Sequence, residues 1–419
     1  MNVLYVNPSG QMGGAETSLS SLMESLRDLH PDWGLNLLLG EDGPLAARAC
    51  KFGVRVQVVP LPREFAVLGS SARFGLGWTW RALRSLPATL RYRARLKAAI
   101  REIRPDVIHT NGSKMHFLVA SVSRRGFGGS DVRVCRIHDY VDRRPLERWL
   151  LKLGSRRFDR IVANSSSVAS DLLTIPLPRQ KVISIHNGVE IGRFAPAGET
   201  LDLDRMSGLP EARPGVVRVG LVAVFAKWKG HLTFMRALAL LPDKLNVRAY
   251  AIGGPIYQTS GSQYTFDELR AAAAANCPGV EFGFTGIVEH IEMAYRALDI
   301  VVHASTEPEP FGMVIIEAMA CQKPVIVSHG GGAVEIFENG VTALAHNPGD
   351  AAMLARQIER LLGDAGLRVR LGEKGRAAVA ANFQARTMAV RFAELYCELA
   401  AARQVGAYAR PGGEKKCFA

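Results

Sequence analysis

The chain has few cysteines: six in 419 residues, at positions 50, 135, 277, 321, 397 and 417, with no C-x-x-C pair among them. That spacing argues against a structural zinc or a disulfide framework and fits a reducing compartment. No apolar run reaches about 18 residues, so no transmembrane helix is expected. The opening MNVLYVNPSG carries no basic region or cleavage site and reads as the first strand of a cytosolic domain rather than a signal peptide. Acidic residues are scarce in one half only. Residues 1–190 hold 28 Lys/Arg against 16 Asp/Glu, whereas residues 191–419 hold 24 against 23. Nearly all of the net charge of +13 therefore lies in the first half, which suggests that this half meets something anionic.

A chain of this length is too long for one ordinary core and predicts two domains. Short β-branched runs alternate with amphipathic stretches at VLYVN (3–7), LNLLL (35–39), VRVQVV (54–59), DVIHT (106–110), VRVCRIH (132–138), RIVAN (160–164) and KVISI (181–185). That alternation predicts an α/β domain with a parallel sheet covered on both faces. The segment 186–215 is rich in Gly, Pro and charge and reads as a linker. The pattern then restarts at VVRVGLVAVF (216–225), NVRAYAIGG (246–254), GVEFGF (279–284), DIVVHAS (299–305) and KPVIVS (323–328). The architecture expected is two doubly wound, Rossmann-like domains facing each other across a cleft. Such sheets bind ligands beyond the carboxyl ends of their strands.

The stretch EPEPFGMVIIEAMACQKPVIV (307–327) places Glu309 and Glu317 eight positions apart with a helix start between them. Pro310 suits a first helical turn, and the helix is expected from about Phe311 to Cys321. The amides of Phe311, Gly312, Met313 and Val314 would then lack intrahelical partners and form an anion site strengthened by the helix dipole. Gly312 lets a phosphate approach the backbone. The carboxylates of Glu309 and Glu317 are natural acceptors for sugar and ribose hydroxyls. Spacing alone equally allows Glu309 to serve only the dipole and Glu317 to be an exposed helical residue.

The run HASTEPEPFGMVIIEAMACQKPVIVSHGGGAVEIF (303–337) resembles the E-x7-E signature of family-4 retaining glycosyltransferases, which have the GT-B fold. Further pieces occur in the expected order: GGAE (13–16), VIHTNG (107–112), RIHDY (136–140), HNGVE followed by RF (186–194) and WKGH (228–231). The resemblance covers about residues 3 to 400. It implies a domain at 1–190 on the acceptor side, a nucleotide-sugar-binding domain at 191–384, helices at about 385–405 that pack back on the first domain, and a tail at 405–419.

It also implies roles. Glu317 would bind the nucleotide ribose, and Glu309 would stand near the donor sugar and diphosphate. The backbone from Phe311 through Gly312 and Met313 to Val314 would hold sugar and phosphates. Lys229 would neutralise the departing diphosphate, and His138 would lie near the reaction centre. Gly13 and Gly14 would let the first loop approach the donor, while Glu16 helps start the helix. Gly286 and Ile287 would meet the base. One departure stands out. The family often has an Arg five residues before Lys229, where this chain has Val224; Lys227 is the candidate to take its place, although Arg and Lys are not equivalent on a diphosphate. The implied activity is transfer of a hexose-type sugar from a nucleotide-diphosphate sugar, with retention and no essential metal or other cofactor. The lone D-x-D, Asp202 to Asp204, reads as a solvated charge pair in the linker.

Residues 63–104 hold ten Lys/Arg and two Glu, with Trp78 and Trp80 beside arginines and Leu83, Leu86 and Leu90 on one helical face that Pro87 would bend or interrupt. Such a segment reads either as a solvated helix packed on its domain or as a contact with an anionic membrane surface. The second reading suits a polysaccharide, glycolipid or lipid-linked acceptor at the inner face of the plasma membrane. Three alternatives remain open: a sugar-nucleotide epimerase of the same architecture, a catalytically weak or inactive glycan- or nucleotide-binding member, and a nucleic-acid binder, for which no recognised module is present.

Overall fold

Apolar, β-branched runs of four to six residues are too short for buried helices and pair readily on both edges. In the computed structural model they form two parallel sheets. The structure describes residues 1–62, 76–122, 131–142, 144–242, 246–255 and 261–408, without the side chains of 76–85 and 404–408. The segment 63–75 of the basic arm, the side chains of Trp78, Trp80 and Leu83, and residues 409–419 of the expected tail lie outside the described residues.

The first sheet contains β1 (Asn2–Asn7), β2 (Gly34–Leu39), β3 (Arg55–Val58), β4 (Val107–Asn111), β5 (Val132–Ile137), β6 (Arg160–Ala163) and β7 (Val182–Ser184). Their order is β3-β2-β1-β4-β5-β6-β7, so the winding reverses between β1 and β4. The second contains β8 (Val217–Val222), β9 (Val247–Ile252), β10 (Glu281–Gly286), β11 (Ile300–His303), β12 (Val325–Ser328) and β13 (Leu344–His346), in the order β10-β9-β8-β11-β12-β13. Here the reversal lies between β8 and β11. Reversal points are where an open parallel sheet leaves a crevice at its carboxyl edge.

The chain divides into two compact units. One comprises Met1–Asn164, Val168–Ile185 and the residues from Met388 onward; the other comprises Ser165–Ser167 and His186–Thr387. The last helix, Ala385–Tyr408, presents Met388, Ala389, Phe392, Tyr396 and Leu399 to the same core as Val3, Tyr5 and Leu22 of the first unit. These positions recur at helical spacing, one apolar face wide.

The structure departs from the sequence pattern in two places. The segment 186–215 is no free tether, because Val189, Phe194 and Leu203 are buried in the second unit's core. Asp204 is not a solvated charge. Its carboxylate accepts from Arg248 at 2.7 Å and Arg218 at 2.8 Å, and also from the Tyr250 hydroxyl. Burial alone would raise the pKa of Asp204; these three donors hold it far below the ordinary carboxylate range. Asp202 instead caps the short helix Leu203–Met206 through Arg205 N–H.

Helix Leu76–Ile103 runs through Pro87 without ending. It docks through Tyr92, Leu96, Ala99 and Ile100, leaving Leu86 and Leu90 each 51% exposed.

Candidate active site

The carboxyl ends of β8 and β11 and the loops after them bring Lys229, His303, Ser305 and Glu309 together. After β8 the chain makes a tight turn, Lys227–Lys229, closed by Gly230 at φ 77°. A Cβ at Gly230 would stand 1.8 Å from the carbonyl oxygen of Ala304, so only glycine fits. The turn aims Lys229 at the loop after β11. There Glu309 Oε2 accepts from Lys229 Nζ at 2.7 Å, from Ser305 Oγ at 2.8 Å and from His303 Nε2 at 3.1 Å. Burial would raise the pKa of Glu309, but the Lys229 ammonium and the His303 hydrogen bond outweigh it and hold the carboxyl well below its usual range. Its backbone is clamped as well: Glu309 N–H donates to Gly330 C=O at 3.3 Å, and Gly332 N–H donates to Glu309 C=O at 2.7 Å.

The helix that follows begins later than the proline suggests. It spans Met313–Ala320, and Gly312, at φ 108°, is its N-cap. Pro310 therefore lies outside the helix, and Phe311 is a core residue, 2% exposed. The positive φ at Gly312 turns the chain sharply into the helix, which the sequence rule favouring Pro at the first helical position does not capture. Helical geometry leaves the amides of Met313 and Val314 without intrahelical acceptors at the positive end of the dipole. The other end is neutralised by Arg376, whose guanidinium donates to Ala320 C=O.

Glu317 is not an exposed helical residue: it is 7% exposed and accepts from Tyr295 Oη at 2.9 Å. Burial and the neighbouring Glu317 charge push the Tyr295 phenol well above its ordinary pKa, so it remains a donor. Gly286 ends β10 at φ 78°, and its carbonyl accepts from Gly253 N–H at 3.0 Å. Ile287 beyond it is 67% exposed. Val224 is half-buried in the loop after β8. Lys227 does not share the Glu309 site with Lys229; its ammonium lies over the Tyr264 ring, 5.7 Å from the centroid. Among the described residues no group of three or more His, Cys, Asp or Glu gathers as metal ligands would.

The first unit has its own crevice at the β1/β4 reversal. Helix Gly14–Leu29 starts there, with Gly13 as N-cap and Glu16 in its first turn. A pocket with about 760 Å³ of empty space, open mouth included, is lined by Glu16, Asn111, His116 and His138 together with Phe117, Val141 and Leu151. A polar chain crosses its floor. Asn7 Nδ2 donates to Glu16 Oε1 at 3.3 Å, and Asn111 Nδ2 donates to Asn7 Oδ1 at 2.8 Å. Asn111 Oδ1 is thereby left to accept from His138 Nε2–H at 2.6 Å. The hydrogen-bond chain assigns the tautomer and leaves the His138 Nδ1 lone pair available. Burial, then the Arg136 charge, lowers the His138 pKa well below the usual range, so the ring is neutral.

Two family models match, one on each half of the chain: "Glycosyltransferase Family 4" over residues 12–193 and "Glycosyl transferases group 1" over residues 212–378. The chain belongs to glycosyltransferase family 4. Among curated relatives, a D-inositol 3-phosphate glycosyltransferase of Salinispora arenicola is 31% identical over 58% of this chain and 56% of its own length. A lipopolysaccharide core biosynthesis mannosyltransferase, LpcC, of Rhizobium leguminosarum is 30% identical over 56% of this chain and 62% of its own. The chain thus spans little more than half the length of these relatives. A crystal structure of Anabaena Alr3699/HepE in complex with UDP and glucose matches with a TM-score of 0.74 at 23% identity, over 94% of this chain and 98% of that one. Sucrose-phosphate synthase from Thermosynechococcus elongatus matches with 0.75 at 21% identity, over 96% and 99%. These likenesses establish the GT-B fold, with two parallel-sheet, Rossmann-like domains.

Glu309, Glu317, Lys229 and His138 are legible in the sequence, whereas the side chains that hold them are not. His303, Ser305, Tyr295 and Asn111 lie on strand ends and a separate helix. The available signal was alternation: His303 and Ser305 are two apart and share one face of the strand end.

Proposed function

We propose that this chain transfers a hexose-type sugar, with retention of anomeric configuration, from a nucleotide-diphosphate sugar to a cell-surface polysaccharide, glycolipid or lipid-linked acceptor. The observation that carries this reading is the Lys229–Glu309 pair set beside the N-terminus of helix Met313–Ala320, with Glu317 buried four residues further along that helix. A diphosphate at this end would meet the free amides of Met313 and Val314 and the Lys229 ammonium. The ribose hydroxyls would be held by Glu317, and the base would lie against Gly286 and Ile287. UDP is the first nucleotide to test, given the UDP complex of the Anabaena neighbour.

Positive charge from Lys229 and the helix end would stabilise the departing diphosphate, which makes a metal ion unnecessary in this proposal. The leaving phosphate would take the acceptor proton on the same face of the sugar. His138 and Glu16 would orient the acceptor in the first unit's pocket. No helix among the described residues is long and apolar enough to cross a membrane. Peripheral attachment at the inner face of the plasma membrane, with the segment 63–104 contributing, belongs to the same proposal.

Val224 favours a second reading, a weak or inactive member, because the Arg-slot cation is missing and Lys227 is engaged by Tyr264. A thermal-shift series with UDP, GDP and ADP, with and without chelator, on wild type and Glu317→Gln separates the readings from a protein that binds no nucleotide. Nucleotide release from the stabilising sugar donor then separates a working enzyme from an inactive one. If no nucleotide raises the melting temperature of wild type, the donor site fails.

A further inference from the structure

Helix Pro145–Gly154 has two working faces. Glu147, Leu150, Leu151 and Gly154, spaced i, i+3, i+4 and i+7, line the first unit's pocket. The opposite side carries Trp149 and Leu153, which are 56% and 55% exposed. Lys152 and Arg156 are exposed on the same side, and Arg157 follows in the turn Ser155–Arg157. The sole acid of the helix, Glu147, sits on the pocket side and pairs with Arg144 at 3.5 Å. The outward face is therefore apolar at its centre, basic around it and free of acidic residues.

A neighbouring helix extends the pattern. Helix Ser113–Ser121 packs against both Pro145–Gly154 and Leu76–Ile103, so the three share one layer on the sheet. The outward side of Leu76–Ile103 shows Arg91, Arg93 and Arg95.

We infer that the Trp149/Leu153 face is a docking surface for an anionic lipid bilayer. Indole and leucine would enter the headgroup boundary while Lys152 and Arg156 meet lipid phosphates, the arrangement that holds an interfacial helix in the membrane plane. The apolar pair selects a bilayer over a soluble polyanion, which would need only the cations. The pocket lies on the other side of the same helix, so a hydroxyl bound there stands about one helix diameter, ~10 Å, from the lipid surface. This significance for a lipid-borne acceptor rests on the function proposed above; the surface itself does not.

The test is co-sedimentation of the full chain with phosphatidylcholine vesicles, with and without phosphatidylglycerol as a third of the lipid. Wild type is expected to bind only the anionic vesicles. W149S/L153S and K152E/R156E are each expected to weaken that binding about tenfold or more, and R93E/R95E less. The UDP-induced thermal shift, where wild type shows one, should stay intact in all of them and certifies their folding; circular dichroism melts do so otherwise. Absence of wild-type binding overturns the inference. So does binding lost only in R93E/R95E, which assigns the surface to Leu76–Ile103. So does a concentration-dependent dimer in light scattering that W149S/L153S abolishes, which makes the partner a second copy. A wild type that binds vesicles without any nucleotide shift leaves this surface standing and removes the donor reading instead.

Discussion

Glu309 and Lys229, eighty residues apart in the chain, meet at 2.7 Å at the carboxyl edge of the second sheet. Each is delivered by a different side of the winding reversal, Lys229 after β8 and Glu309 after β11. The pair exists because the two loops leave adjacent strands and Gly230 lets their backbones touch, while Gly332, in the loop after β12, lets a third loop close against Pro310. A Cβ at Gly332 would stand 2.1 Å from the carbonyl oxygen of Pro310.

The Glu309–Lys229 pair predicts a split between two variants. In Glu309→Gln the ammonium keeps its position but loses its counter-charge. Nucleotide binding should persist, while sugar transfer falls about 100- to 1,000-fold if Glu309 acts on charge developing at the sugar. Lys229→Met should weaken nucleotide binding itself. Calorimetric titration and nucleotide-release rates on both variants check this; equal transfer by Glu309→Gln and wild type would remove Glu309 from the chemistry.

Tyr295 predicts an indirect effect. Tyr295→Phe removes one hydrogen-bond donor from the buried Glu317 carboxylate. The cost in stability should be about 1.5–3 kcal/mol, as for hydrogen bonds to charged groups. Nucleotide affinity should fall with it, because Glu317 is no longer held. Denaturant unfolding measures the first effect and titration the second. An unchanged affinity would mean that Glu317 does not face the ligand.

Asp204 predicts a purely structural loss. Asp204→Ala removes an acceptor from the buried Arg248 and from Tyr250 and leaves Arg248 with Glu281 at 2.6 Å as its remaining carboxylate partner, so it should cost about 1–3 kcal/mol. Nucleotide binding by the protein that remains folded should be unaltered. A loss of affinity without a loss of stability would contradict this assignment.

Two buried histidines predict acid lability. Burial lowers His116 to about 3; burial and the Lys229 charge lower His231 to about 4; the ordinary value is 6.5. The unfolded chain therefore binds protons that the folded chain refuses. Stability is complete above pH 6.5 and falls as the pH drops toward 4, by up to about 1.4 kcal/mol per pH unit for each ring. Urea midpoints across that range, compared with His116→Gln, check the slope; a flat profile would contradict it.

Twelve of the thirteen strands are legible as apolar runs, and the central ones, buried on both faces, cannot hide their composition. Leu344–His346 escapes because its three residues, LAH, include no β-branched side chain. The segment 186–215 misleads because Gly, Pro and charge describe its exposed residues, while its anchors, Val189, Phe194 and Leu203, are too irregularly spaced to announce a packed element. At the site, the two glutamates and Lys229 stand out in sequence, but what they touch is set by topology. His303 and Ser305 reach Glu309 from β11 and its end, and Tyr295 reaches Glu317 from another helix. Trp149 and Leu153 go unread for a different reason: a helix with apolar residues on both sides looks buried until the structure shows one side uncovered.

The return of helix Ala385–Tyr408 to the first unit has a consequence for synthesis. The strands of that unit leave the ribosome first, yet Met388, Phe392 and Tyr396, which complete its core, arrive after roughly 200 further residues. At about 5–20 residues per second, the first sheet waits on the order of 10–40 s with that face uncovered. A premature stop near residue 385 would spare the second unit's core while leaving the first unfinished.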